Sequence, residues 1–402
     1  MLSESTSSRF KAGFWLHCFA LFVGLCTFAL IAVGGLVTSK GVGMAVPDWP
    51  NSFGYNMFLF PASEWIGGIL YEHSHRLIAS FVGLLTVVLA IWIWVKETAG
   101  KVKTFGIIAF TLPLLLMGVR TFHVFIPLAI LSVPAVIYGI ARFTKNPAEL
   151  RWLGWSAVFA VILQGAIGGF RVELKLDYLG IIHGTLAQLF FLLVLAIAVL
   201  TSQWWPASRD ALKQIRIGTT FKNLTVVGMV LIFCQLLLGA TMRHQHAGLA
   251  VPDFPLAHGK IWPDTDSDSI HRYNQQRMES TAINSITSFQ IQLHMIHRIM
   301  ALLIAVIVAA VSWKVFSSKN LNRPLRQVAA IWSLLTAIQI GLGIFTVIKG
   351  KPADIATLHV LVGALIFAAS GLTVVFAHQT QSFVSVATEK LASRTLTAAL
   401  KS

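Results

Sequence analysis

The sequence predicts an all-α polytopic membrane protein: two tandem four-helix bundle repeats, related by a pseudo-two-fold axis along the membrane normal, plus an inserted two-helix hairpin, about ten spans in all. Three observations lead there. The 402 residues are 56% apolar and only 12% charged, with a mean hydropathy of +0.73, too little polar surface for a soluble domain of that length. The apolar residues form long unbroken runs and do not alternate, the mark of helices that satisfy their own backbone in lipid. One segment also recurs: Gly43-Met44-Ala45-Val46-Pro47-Asp48-Trp49-Pro50 returns as Gly248-Leu249-Ala250-Val251-Pro252-Asp253-Phe254-Pro255. Each copy precedes a His-Arg pair that opens an apolar run, His75-Arg76 and then His297-Arg298.

Residues 1–13 read as a polar cytoplasmic N-terminus, followed by an apolar run expected to stay in the membrane, with no cleaved signal or Arg-rich transit peptide. Core spans at 14–37, 74–95, 151–171 and 181–201 make up an N-terminal repeat, 14–201. Within it, 104–143 is too long for one helix and carries Arg120 and His123 near its middle, which predicts a hairpin of two short spans. This hairpin has no counterpart in the second half and, by adding two helices, preserves downstream orientation. It is therefore expected to be separable from the chemistry, either a docking element or an ornament. Residues 202–221 form a cytoplasmic linker. Spans at 222–242, 293–315, 326–348 and 355–377 make the C-terminal repeat, 222–378, before a cytoplasmic tail, 379–402.

Orientation follows from the basic residues. One set of loops collects Lys96, Lys101, Lys103, Arg142, Lys145, Arg209, Lys213, Arg216, Lys314, Lys319 and Arg323, while Asp48, Asp253, Asp264, Asp266 and Asp268 lie on the other side. The positive-inside rule places both termini in the cytoplasm. The net charge of +15 is then a skirt facing anionic membrane lipid, not a nucleic-acid surface. Cys18, Cys26 and Cys234 fall in or at the edge of spans, which argues against a structural disulfide.

The chemistry lies in the histidines. His75 and His297 are each answered by a second histidine opening an apolar run, His183 and His359, and a glutamine precedes each of these at a similar interval, Gln164 and Gln339. All four histidines fall at the outer ends of helices returning to the cytoplasm. A histidine in a membrane is costly and usually partnered. Imidazole is a standard axial ligand of haem iron, and facing helices of a bundle can supply one from each side. Two per copy is the pattern of a protein holding two haems. Other histidines lack a repeat mate: His17 and His378 read as packing, His73 as a neighbour of the ligand helix, and His244, His246, His258 and His271 as solvated loop residues.

Glu72 stands one helical turn before His75, on the same face. It is either a helix-start acid favoured by the dipole or a carboxylate beside an axial ligand. The corresponding residue of the second half is His294, so a carboxylate occurs in only one pocket, which points to chemistry confined to that pocket. Arg76 and Arg298 stand where porphyrin propionates would meet water, and either clamp those carboxylates or snorkel to lipid phosphate. Arg171 and Arg243 are further candidates. Glycines at 34–35, 165, 168–169, 341 and 343 permit close helix contact or leave room for a flat macrocycle.

These residues together resemble the haem A synthase family of bacterial and mitochondrial inner membranes. The resemblance rests on Glu72-His73-Ser74-His75-Arg76, the two repeated loops, Gln164–Gly169 leading to His183, Met242-Arg243-His244 with Ala247–Pro255, His294–Arg298 and His359. It covers residues 30–378 apart from the hairpin. It implies an oxidoreductase of a bacterial cytoplasmic membrane that converts the C8 methyl of haem O to a formyl group, giving haem A for terminal oxidases. Two successive hydroxylations would give a geminal diol that loses water to the aldehyde. The family pattern implies His75 and His183 as ligands of the substrate haem O and Glu72 as catalytic carboxylate. It likewise implies His297 and His359 as iron ligands of a haem B cofactor, with a haem O synthase and cytochrome oxidase assembly factors as partners. This chain departs from some relatives in having no cysteine pair between residues 38 and 71, and in its hairpin. Two other classes compete: a di-haem electron carrier without bond-making chemistry, and a parallel-repeat transporter using the histidines as a proton relay.

Overall fold

Long apolar runs leave a chain few ways to satisfy its backbone in lipid, and this one takes the helical solution almost throughout. The computed structural model describes residues 13–117, 122–277, 285–318 and 323–382. Residues 1–12, Arg120, Lys319 and residues 383–402 of the tail lie outside the described residues. Among the described residues, ten helices are long and apolar enough to cross a membrane. The protein is an all-α, multi-pass membrane protein.

The chain divides into two units. The first runs through Gln203 and takes in 243–246 and 351–361, two stretches that the sequence assigns to the C-terminal repeat. It contains α1 (Phe14–Ser39), α2 (Gly67–Glu97), α3 (Gly100–Met117), α4 (Phe122–Lys145), α5 (Arg151–Leu174) and α6 (Asp177–Leu200). Helices α1, α2, α5 and α6 share one core, where Leu16 and Val23 meet Leu89, Ile93, Ala157, Val194 and Ile197. Lipid tails are as apolar as these side chains, so close fit rather than expulsion from water drives the contact. Gly154 of α5 shows the fit: a Cβ there would come within 3.3 Å of the Ala90 Cα on α2. His17 Nδ1 lies 2.8 Å from the Ala198 carbonyl, joining α1 to α6, an interhelical bond of a kind that contributes about 0.6 kcal/mol.

The hairpin α3–α4 is present as expected, but it is no loose ornament. Phe110 of α3 is buried with Trp94 of α2 and with Val158 and Ile162 of α5. Trp155 Nε1 of α5 donates to the Ala135 carbonyl of α4 at 3.0 Å, and Ser156 Oγ to that of Val136 at 3.2 Å. Phe125, also on α4, is fully buried and its ring lies 4.0 Å from that of Trp49 in the first repeated loop. The sequence could not show this, because an insertion without a repeat mate reveals nothing about which face of its host it covers.

The second unit contains α7 (Trp205–Lys213), most of α8 (Thr219–His244), α9 (Ser267–Gln276), α10 (Ser288–Ser317), α11 (Arg323–Ile348) and most of α12 (Ala353–Gln379). Trp332 of α11 is wholly buried against Gly228 of α8, whose absent side chain makes the space. Ser312 and Ser333 hydroxyls, 2.6 Å apart, link α10 to α11. Phe233 and Phe367 pair α8 with α12. Lys222 donates to the Thr380 carbonyl at 2.6 Å, beside a short parallel pairing of β3 (Arg216–Ile217) with β4 (Gln381–Ser382). In the first unit the only comparable pairing among the described residues is the antiparallel β1 (Asn51–Ser52) with β2 (Tyr55–Asn56).

Two helices, α7 and α9, occupy stretches the sequence left as linker and loop. Both are short and polar on one side, too short to span. Helix α9 starts on Asp266, whose side chain accepts from the Ser269 amide, and α10 starts on a capping box of Thr287 and Gln290. Helix α2 begins at Gly67, ahead of the expected span, so Glu72 sits in its second turn, past the reach of the helix dipole. Cys18, Cys26 and Cys234 are free.

Candidate functional site

The first repeated loop is a closed turn built on one aspartate. Asp48 accepts the Phe53 amide at 2.7 Å and the Gly54 amide at 2.8 Å, one on each carboxylate oxygen. Arg76 of α2 ties this turn to the helix, donating to the carbonyls of Val46, Asp48 and Asn51 at 2.8, 2.6 and 2.9 Å. The second loop repeats the arrangement residue for residue. Asp253 accepts the His258 and Gly259 amides at 2.7 and 2.9 Å, and Arg298 donates to the carbonyls of Val251, Asp253 and Leu256 at 3.3, 2.7 and 3.0 Å. Partial burial works against ionisation of Asp253, yet the Gly259 and His258 amides hold its carboxyl below the usual 3.8. Thus Arg76 and Arg298, read from sequence as propionate clamps or snorkelling side chains, turn inward on the loops. A guanidinium carries five donors in a fixed fork, which suits a ring of converging carbonyls.

Glu72 is buried and doubly engaged: one oxygen accepts from Arg76 at 2.7 Å and the other from the Val46 amide at 2.9 Å. Its counterpart His294 is also buried and hydrogen-bonds the backbone of Ala247. Both residues therefore tie a helix to its loop, one through a carboxylate and one through an imidazole. His73 is buried too, its Nδ1 3.1 Å from Ser52 Oγ and its ring against Phe60 and Trp65, so it supports the loop.

One turn on from Glu72, the rings of His75 on α2 and His183 on α6 face each other with centroids 6.4 Å apart at 73°. Rings at that separation would leave room for one haem iron between them, which His75 and His183 would hold. The helices are shaped for the rings. A Cβ at Gly34 of α1 would lie 3.0 Å from His75 Nε2, and one at Gly168 of α5 would lie 3.0 Å from His183 Cε1. Gln164 donates to the His183 carbonyl at 3.2 Å, and His183 Nδ1 is buried without a hydrogen-bond partner among the described residues. A buried imidazole nitrogen left in that state is poised for a ligand that the protein itself does not supply. The residues present therefore fit a bis-histidine haem.

In the second unit His297 lies on α10, with Gln235 of α8 donating to its carbonyl at 3.0 Å and Gly239 against its ring. Gln235 is a residue the sequence reading missed. Its signal is the Gln-x-x-x-Gly spacing ending at Gly239, which matches Gln164-x-x-x-Gly168. His359 lies near the start of α12, in the stretch grouped with the first unit. Two loop histidines expected to be solvated are not. His258 stacks on Tyr273 of α9 at 3.7 Å, and the His244 ring fills the space left by Gly180 of α6.

A family model described as COX15-CtaA, cytochrome oxidase assembly protein, matches residues 17–370. The chain belongs to this family. Among curated relatives, this COX15-CtaA family member is 26% identical over 369 residues to the Heme A synthase of Caulobacter sp. (strain K31), covering 89% of this chain and 93% of that one. It is 23% identical over 387 residues to the Heme A synthase of Novosphingobium aromaticivorans, covering 92% and 96%. The match to the Heme A synthase of Shouchella clausii, 25% identical over 241 residues, covers 59% of this chain and 62% of the relative, less than two thirds of its length.

Proposed function

We propose that this protein is a haem A synthase, an oxidoreductase converting the C8 methyl of haem O to a formyl group and so supplying haem A to terminal cytochrome oxidases. The observation that carries the reading is the His75–His183 pair, 6.4 Å between ring centroids, in a member of a cytochrome oxidase assembly family. His75 and His183 hold the substrate haem O. His297 and His359 are assigned to haem B by their place in the repeated sequence. A bound haem supplies the redox capacity that no protein side chain has; the chain's own residues bind, orient and set charge. Gly34 and Gly168 seat the two ligand rings, and Gln164 fixes the backbone of the His183 turn. Glu72 acts as the catalytic carboxylate. Held by Arg76 and the Val46 amide, it is a fixed negative charge one turn from His75, suited to stabilising positive charge developing at the oxidised carbon or to ordering a water there. Arg76 keeps that charge in place and locks the loop above it.

The basic loops, through the positive-inside rule, support an orientation with both termini in the cytoplasm and both haem sites toward the outer face of a bacterial cytoplasmic membrane. A haem O synthase is the natural donor of the substrate, and oxidase assembly factors receive the product. Co-expression with a haem O synthase, followed by chromatography of extracted haems, tests the reading. Haem A that depends on this chain is expected; membranes holding only haem B and haem O would refute it.

A further inference from the structure

With Arg76 committed to the loop, the carboxylates of the substrate need another partner. Met44, Pro47, Arg171, Lys175, Leu176 and Asp177 line a cavity of about 380 Å³. All belong to the first unit. Arg171, in the last turn of α5, makes no hydrogen bond among the described residues, although most of its side chain is buried. Its guanidinium lies close against two glycines, where a Cβ at Gly43 would lie 3.0 and 3.1 Å from its two terminal nitrogens and one at Gly180 would lie 2.8 Å from Nε, and the Glu72 and Asp177 carboxylates act on its charge. Arg171 stands one turn on from Gly168 of α5, whose Cβ position lies 3.0 Å from His183 Cε1, and its Nε packs against Gly180 of α6, one turn before His183. Lys175, exposed at the end of α5, adds a second cation; Asp177 at the start of α6 is the one anion lining the space. The lining is therefore net positive and includes a guanidinium fork, the geometry that receives a carboxylate through two parallel hydrogen bonds.

We infer that Arg171, assisted by Lys175, is the binding site for the propionate carboxylates of the porphyrin held by His75 and His183. The assignment rests on the haem reading of that pair and goes beyond it, because it fixes which edge of the macrocycle faces the repeated loop. Gly43 is explained in the same way, as the clearance a guanidinium needs to reach the cavity.

The test is an absorption titration of the purified protein with iron protoporphyrin IX and with its dimethyl ester, whose propionates carry no charge. The first-site signal is the bis-histidine band lost in His183→Ala. Wild type should bind the diacid more tightly than the ester. Arg171→Gln should weaken diacid binding tenfold or more and leave ester binding unchanged, Arg171→Lys should recover part of the loss, and Lys175→Gln should weaken the diacid several-fold. Equal weakening of both porphyrins, or of neither, would overturn the assignment while leaving the histidine pair in place as a haem site. A wild-type protein with no His183-dependent band would take down the haem reading and this assignment with it. Were Arg171→Gln to lose its fold, seen as loss of the remaining haem band, the exposed Lys175→Gln carries the same comparison.

Discussion

At the scale of single residues, the site depends on what each side chain is already bound to. Glu72 has both oxygens occupied, so truncating it would strip Arg76 of its counter-charge in a buried setting, a loss of about 3–5 kcal/mol. Glu72→Gln is the cleaner change, since it keeps an acceptor for Arg76 and removes the charge. We expect it to retain the bis-histidine band while haem A falls at least tenfold and haem O or a hydroxylated intermediate accumulates. A haem A to haem O ratio equal to wild type would return Glu72 to a purely structural role, as the loop anchor that His294 is in the second half. Gly168 offers an independent probe. Its Cβ position is already 3.0 Å from His183 Cε1, so Gly168→Val must displace the ring, an overpacking cost of about 1–3 kcal/mol. The variant should insert normally and lose the first-site band, and a full complement of bis-histidine haem would contradict the seating argument.

At the scale of elements, the two loops behave as one design used twice, and their stability should follow pH through Asp253. Its carboxyl is held below 3.8 in the folded loop by the Gly259 and His258 amides, against the desolvation of partial burial. A depressed folded value means the stabilisation is fully present above the unfolded value and is lost as pH falls through the folded one. Hydrogen exchange at residues 258–259 should therefore accelerate, beyond its intrinsic pH trend, only below about pH 4, and Asp253→Asn should remove that step. Exchange that tracks the intrinsic trend in both proteins would show that the carboxylate does not hold the turn. The hairpin of α3 and α4 packs on the first loop and on α5. With Phe125 on Trp49 and Met117 against Gly165, its removal would uncover the first loop. Phe125→Ala should destabilise the first unit by about 3–5 kcal/mol and lower haem occupancy there, seen as a lower melting temperature and a weaker first-site band. An unchanged melting temperature would restore the hairpin to the status of a separable addition.

At the scale of the whole molecule, the proposal divides labour between two haem sites, and that division can be tested directly. His297→Ala or His359→Ala should remove haem B from purified protein while membrane insertion persists; undiminished haem B in both variants would mean the cofactor is held elsewhere. The class of molecule and the number of spans are legible in residue order, because the preference of an apolar segment for lipid is local and sums along the chain. The recurring loop segment is likewise legible, because both copies stand in residue order. Tertiary structure alone decided the partners. Arg76 and Arg298 bond loop carbonyls, Phe125 covers Trp49, His244 fills the space at Gly180, and Arg171 lines a cavity. Each of these joins residues distant in the chain, and which distant groups meet is set by how helices pack, a choice that residue order does not encode locally.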